Sequence, residues 1–147
     1  MNNDVLVSVK SRQVFGDMST DYIELIIPGS MESRDGGYCI TYFETDPETS
    51  AETRTTVTTV PGVVTVVREG DIESEMIFEQ GRKHIFHYDM SEGSMTMGVA
   101  AKRVNVALGE AGGRIDIDYA VEIENSVAYE NRLRMKITRP QSGSFPS

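Results

Sequence analysis

At 147 residues with 14 Lys and Arg against 23 Asp and Glu, the chain has the size of one domain and a formal charge of −9. A single cysteine excludes an internal disulfide framework, and no apolar run approaches the ~18 residues that a membrane-spanning helix needs. The acidic balance repels phosphate backbones, so nucleic acid is not an expected partner unless the basic residues cluster on one face.

Residues 1–4 are polar and expected to be loose; the start MNNDVLVSVK lacks a basic segment followed by an apolar one, which with the lone thiol fits a cytoplasmic protein. Val5, Val7 and Val9 alternate with Leu6, Ser8 and Lys10, the period-two signature of a strand. Tyr22 to Ile27 is a second strand, which Pro28-Gly29 is expected to bulge, bend or end because proline donates no ladder hydrogen bond. Asp35-Gly36-Gly37 marks a turn. Tyr38 to Glu44 follows as a strand with Tyr38, Ile40 and Tyr42 on one side and Cys39, Thr41 and Phe43 on the other.

After the acidic loop Thr45 to Glu52, the β-branched stretch Thr53 to Val60 suits a strand. Val63 to Gly93 then reads as three antiparallel strands punctuated at Gly70, Gly81 and Gly93. Ser94 to Leu108 is ambiguous, its alanines favouring helix and its alternating valines favouring strand; strand is the expectation. Arg114 to Glu124 has the cleanest alternation, with Ile115, Ile117, Tyr119, Val121 and Ile123 on one face. Val127 to Arg139 answers it, with Val127, Tyr129, Leu133, Met135 and Ile137 expected inward. Two registers keep the apolar faces together. Pairing Ile123 with Tyr129 sets Asp118 opposite Arg134 and Asp116 opposite Lys136, and is preferred on charge; pairing Ile123 with Val127 sets Arg114 opposite Lys136. Residues 140–147 read as a disordered tail.

Eight to ten sequential strands without a convincing helix predict one all-β domain over residues 5–139. The expected architecture is a closed antiparallel up-and-down barrel, which leaves no exposed sheet edge.

The spacing Arg68-x-Gly70, Met76-x-Phe78-x-x-Gly81, Tyr88 and Gly93 resembles that of the YwiB-like family of small uncharacterised bacterial proteins. Tyr42-Phe43-Glu44 and Gly113-Arg114-Ile115-x-Ile117-x-Tyr119 resemble its corresponding segments. The resemblance implies a closed barrel related to the calycins, the group that includes the lipocalins, and brings no established activity or functional residues. Against true lipocalins the chain lacks tryptophan, a disulfide and a helix after the last strand. No arginine–tyrosine pair matching a fatty-acid carboxylate clamp stands out either.

Candidate sites are few. His84 and His87, three apart on a strand, point to opposite faces and cannot share one metal, so no metal or cofactor is expected. Asp116, Asp118, Glu122 and Glu124 share an outward face that salt bridges explain. Cys39 has nothing beside it to activate a thiolate, and no catalytic constellation emerges, so an enzyme is not expected. Arg68 shares parity with Val64 and Val66; if these point inward it is a charge at the lumen, able to hold a ligand carboxylate. His84 and Tyr88 lie on one aromatic stripe and Tyr38 and Tyr42 on another, both suited to a semi-polar cavity. Arg68, His84, Tyr88, Tyr38 and Tyr42 are therefore the candidate ligand contacts. The expected function is binding of a small, partly apolar molecule in the lumen, without nucleic-acid or membrane partners. The alternative is a filled barrel serving as an interaction or structural module, as a homodimer.

Overall fold

The structure is a computed structural model that describes residues 3–70, 73–90, 93–124 and 126–139, the side chains of residues 88–90 excepted. The tail expected over residues 140–147 lies outside the described residues. The strands are β1 (Asp4–Phe15), β2 (Thr20–Arg34), β3 (Gly37–Thr45), β4 (Glu52–Val60), β5 (Val63–Gly70), β6 (Glu73–Glu79), β7 (Lys83–Met90), β8 (Gly93–Gly109), β9 (Gly112–Ile123) and β10 (Ser126–Thr138). Each pairs antiparallel with its sequence neighbours, and β1 pairs with β10 to close the barrel. The expected all-β barrel is thus the observed one. The ordered chain starts earlier than the sequence suggests: Asp4 pairs with Ser30, and Met31 N donates to Asn3 O at 2.9 Å.

Alternation sets which side chains face inward. Val5, Val7 and Val9 on β1, Ile115, Ile117 and Val121 on β9, and Met135 and Ile137 on β10 are all buried. At one end of the barrel the lumen is filled. Met31, Ile40, Val57, Val64, Ile115 and Phe78 are each less than 2 % exposed there.

Three local departures from the sequence reading have physical causes. First, β2 does not stop at Pro28-Gly29. It runs through, because Pro28 sits where pairing with β3 ends: Gly29 pairs with Tyr42, and no residue of β2 before it pairs with β3. A missing N–H is harmless there. A Cβ on Gly29 would lie 2.6 Å from Thr41 O and 3.2 Å from Tyr42 Cβ, so the fork needs glycine for its close approach. Beyond it Thr20–Ile27 is held only by β1.

Second, the ambiguous segment is one long strand, β8, whose pairing with β9 shifts between Ala101 and Arg103. Val99 and Ala101 are buried before the bulge and Val104 packs on the core after it, so inward parity moves from odd to even positions. One extra residue scrambles the alternation and mimics a helical pattern.

Third, the preferred register of β9 and β10 is wrong. Val121 pairs with Tyr129, Ile117 with Leu133 and Arg114 with Lys136. A shift between Val127 and Tyr129 also turns Val127 out, and it is 57 % exposed rather than inward. The observed register still serves charge. It sets Asp116 opposite Arg134 and Asp118 opposite Arg132, and places Ala120 rather than Glu122 beside Glu130. Arg134 Nη1 reaches Asp118 Oδ1 at 3.0 Å and its Nε reaches Asp116 Oδ1 at 3.5 Å. The carboxylates of β9 are thereby engaged in ion pairs on the outer face.

Candidate functional site

The lumen is not filled along its whole length. At the end formed by the C-terminal halves of β1, β3 and β5 and the N-terminal halves of β2, β6 and β10, inward side chains leave a cavity of about 470 Å³. That falls within the range of small-molecule sites. Val9, Leu25, Val66, Met76, Met97 and Leu133 give it an apolar wall. Ser11, Tyr42, Glu44, Arg68, Tyr119 and Asn131 give it a polar one.

Arg68 arrives by simple alternation. Val64, Val66 and Arg68 occupy one face of β5; Val64 is fully buried in the packed half, and the next two positions line the cavity. Arg68 Nε is buried and has no hydrogen-bond partner among the described residues. Nor does the guanidinium form an ion pair among them. A buried, unpartnered donor on a cation is rare, because its desolvation is uncompensated.

The polar wall around it is otherwise ordered. Ser11 Oγ donates to Asn131 Oδ1 at 2.9 Å, and Asn131 Nδ2 donates to Tyr119 Oη at 2.7 Å. The Tyr119 ring stacks at a tilt of 56° on Phe78, centroids 4.7 Å apart, where the packed half begins. With its oxygen accepting from Asn131, Tyr119 keeps its own proton available for an acceptor. Burial raises the pKa of Tyr119, and Tyr129 adds to this, while Asn131 and then Arg68 pull it down. Tyr42 is pushed up to about 12, first by burial and then by Glu44, with Arg68 and a bond from Thr55 opposing. Arg68 is thus within electrostatic reach of two neutral phenols.

These shifts have a pH consequence. A tyrosine whose folded pKa lies above its ordinary value of 10 ionises more readily in the unfolded chain. Its contribution to stability is intact below pH 10 and is lost as pH rises from there toward about 12. Unfolding free energy is expected to fall by about 1.4 kcal/mol per pH unit for each such tyrosine. Guanidinium titrations between pH 9 and 11.5 should show a shallower fall for Tyr42→Phe; an unchanged slope would contradict the burial of Tyr42.

Of the five residues expected to touch a ligand, Arg68 and Tyr42 line the cavity. Tyr38 and His84 do not. Tyr38 shares the inward face of β3 but lies at the opposite end of the strand, where its N–H donates to Thr59 Oγ1 at 3.1 Å. His84 also sits at that end, its Nε2 3.1 Å from Glu79 Oε1. Face was legible from parity, whereas depth along the barrel depends on stagger between strands. The backbone of Tyr88 pairs with Ser74 and Met95; its side chain lies outside the described residues. His87 is exposed on the other face, beside Thr96 Oγ1 at 3.1 Å, as the spacing of the two histidines requires.

Five polar residues of the lining are not singled out by the sequence reading: Ser11, Gln13, Glu44, Ser74 and Asn131. Asn131 had a visible signal. It occupies an inward position between Tyr129 and Leu133, a lone amide interrupting an apolar row. Arg68 of β5 shares the cavity wall with Tyr42 of β3 and Tyr119 of β9.

Comparison with known proteins places the chain. No curated protein matches it. The crystal structure of the ywiB protein from Bacillus subtilis superposes with a TM-score of 0.85 at 22 % sequence identity, covering 95 % of this chain and 94 % of that one. At that identity the likeness establishes the shared barrel. The family model described as a domain of unknown function, DUF1934, matches residues 7–135, which reaches from β1 to β10 and includes every cavity residue named above. The chain therefore belongs to the DUF1934 family, a YwiB-like group of uncharacterised β-barrel proteins.

Proposed function

We propose that this protein is a binding module whose open half-lumen takes a small, partly apolar molecule carrying an anionic group. One observation carries the reading: the buried Arg68 Nε that finds no partner among the described residues, on the wall of a cavity of about 470 Å³. Fold likeness to a barrel supplies no function by itself; the unpartnered Arg68 Nε supports one, because the desolvation of that donor is offset once an anion enters. The apolar wall accepts the remainder of the ligand. Tyr119, holding an unused hydroxyl proton, supports the same anion. This reading includes no catalytic step; it is that of a carrier or sensor, and the lone thiol Cys39 is what supports a cytoplasmic setting for it.

The test uses 1-anilinonaphthalene-8-sulfonate, an aromatic sulfonate that fluoresces in apolar surroundings. The wild-type protein is expected to bind it at one site per chain. Arg68→Gln is expected to weaken binding about 30-fold or more, since a desolvated charged partner is worth ~2 kcal/mol or more. Arg54→Gln, which alters an exposed arginine paired with Glu69 at 2.9 Å, should leave binding unchanged. Equal binding by wild type and Arg68→Gln, with both folded by circular dichroism, would overturn the proposal.

A further inference from the structure

The outer face of β1, β10 and β9 carries a concentration of cations that the sequence order conceals. Lys10 pairs with Arg134, Arg12 with Arg132, and Lys136 with Arg114. Each is a like-charge pair directly across neighbouring strands, an arrangement that disfavours the folded sheet. Six of the chain's 14 basic residues are gathered there, in a protein of net charge −9. The acids on this face neutralise only part of the group, and Glu24 of β2 stands directly opposite Lys10. Asp116 and Asp118 are occupied by Arg134 and Arg132. Lys10, Arg12, Arg114 and Lys136 are exposed and form no ion pair among the described residues. A surface groove of about 560 Å³ runs between Lys10, Arg114, Arg134 and Lys136.

Strand geometry makes this a patch of roughly 13 by 10 Å, from a rise of ~3.3 Å per residue and a strand spacing of ~4.8 Å. Between the cations stand Ser8, Ala107, Gly113 and Asp116, the last already paired with Arg134. No large apolar side chain centres the patch, so it lacks the anchor that a protein partner would need. A phosphodiester backbone needs none: donors and positive charge suffice. At the edge of the patch Tyr22 faces outward beside Arg12 and is 61 % exposed; its hydroxyl donates to Glu24 Oε2 at 3.3 Å, and its ring offers a stacking platform for an unpaired base.

The geometry points to the outer face of β1, β10 and β9 as a binding surface for single-stranded nucleic acid, contacted chiefly through its phosphates. The overall negative charge, which argues against such a partner in the sequence, is not distributed evenly: the condition that the basic residues cluster on one face is met. This surface is separate from the lumen and independent of the ligand proposed there.

The experiment is fluorescence anisotropy with a labelled 20-nucleotide single strand of mixed sequence, titrated at several salt concentrations. With four unpaired cations each contributing about 0.7, the plot of log affinity against log salt is expected to have a slope of roughly −3. The triple variant Lys10→Gln, Arg114→Gln, Lys136→Gln should weaken binding at least about ten-fold at low salt and flatten the slope by roughly 2. The variant Arg34→Gln, Arg54→Gln, Arg82→Gln removes equal charge from elsewhere on the surface and should leave both nearly unchanged. Tyr22→Ala should weaken binding several-fold without altering the slope. The thermal midpoint of the first triple variant should not fall, because its cations oppose one another. Absence of binding at low salt, equal effects of the two triple variants, equal affinity for duplex, or tighter binding to anionic lipid vesicles or polyglutamate would each overturn the inference.

Discussion

Phe78→Ala is expected to destabilise the barrel by about 3–5 kcal/mol, the cost of removing a buried aromatic and leaving a void. Phe78 is 1 % exposed and packs on Tyr119 where the filled half of the lumen meets the open half. Its removal therefore does two things at once. It withdraws apolar contact from the packed half, and it merges the void with the existing cavity, so that the site loses its floor. Phe78→Leu, which keeps most of the volume, should cost about 1.5 kcal/mol or less. Urea or guanidinium unfolding measures both. A loss below about 1 kcal/mol for the alanine variant would mean that Phe78 does not close the lumen.

Arg68→Met is expected to act in the opposite direction. In the ligand-free protein it should raise stability by about 1–2 kcal/mol, because it replaces a desolvated, unpartnered donor by an apolar chain of similar reach. The same substitution should abolish binding of the aromatic sulfonate. It should also raise the pKa of Tyr42 and Tyr119 further, since Arg68 lowers both. A gain in stability coupled to a loss of binding is the mark of a residue kept for its ligand. If Arg68→Met instead destabilises the fold by more than about 1 kcal/mol, the arginine is structural and the proposed function fails.

Much of the architecture was legible in the chain. Glycine turns and period-two alternation locate all ten strands, and sequential hairpins without crossover segments leave a barrel as the natural closure. What escaped was register. At β8 the bulge after Ala101 exchanges inward and outward positions, and at β10 the shift after Val127 does the same. Alternation can be read within a strand but does not reveal where it slips. Charge was a poor guide as well, because two registers of β9 and β10 both satisfy Arg134, whose long side chain reaches Asp116 and Asp118 alike.

The candidate site was legible in part for the same reason. Parity placed Arg68 and Tyr42 inside, but it placed Tyr38 and His84 inside equally. Only the stagger of neighbouring strands puts the first pair at the cavity and the second at the filled end. Asn131 and Ser11 are polar interruptions in otherwise apolar inward rows. Their partnership joins residues 120 positions apart, a contact with no local trace in the sequence.

That distance bears on how the molecule comes to be folded. β1 has two neighbours, and one of them, β10, is the last strand of the ten. During synthesis β1 and β2 can form a hairpin early, yet the far edge of β1 waits for β10 to emerge from the ribosome. Nine hairpin closures are local in the chain, and a single long-range one seals the ring. Such a contact carries the largest loop-closure entropy of the fold and places it among slow, high-contact-order folders, on the millisecond-to-second scale. The cavity wall built from Ser11, Tyr119 and Asn131 spans this seam, so it is completed only when the ring shuts.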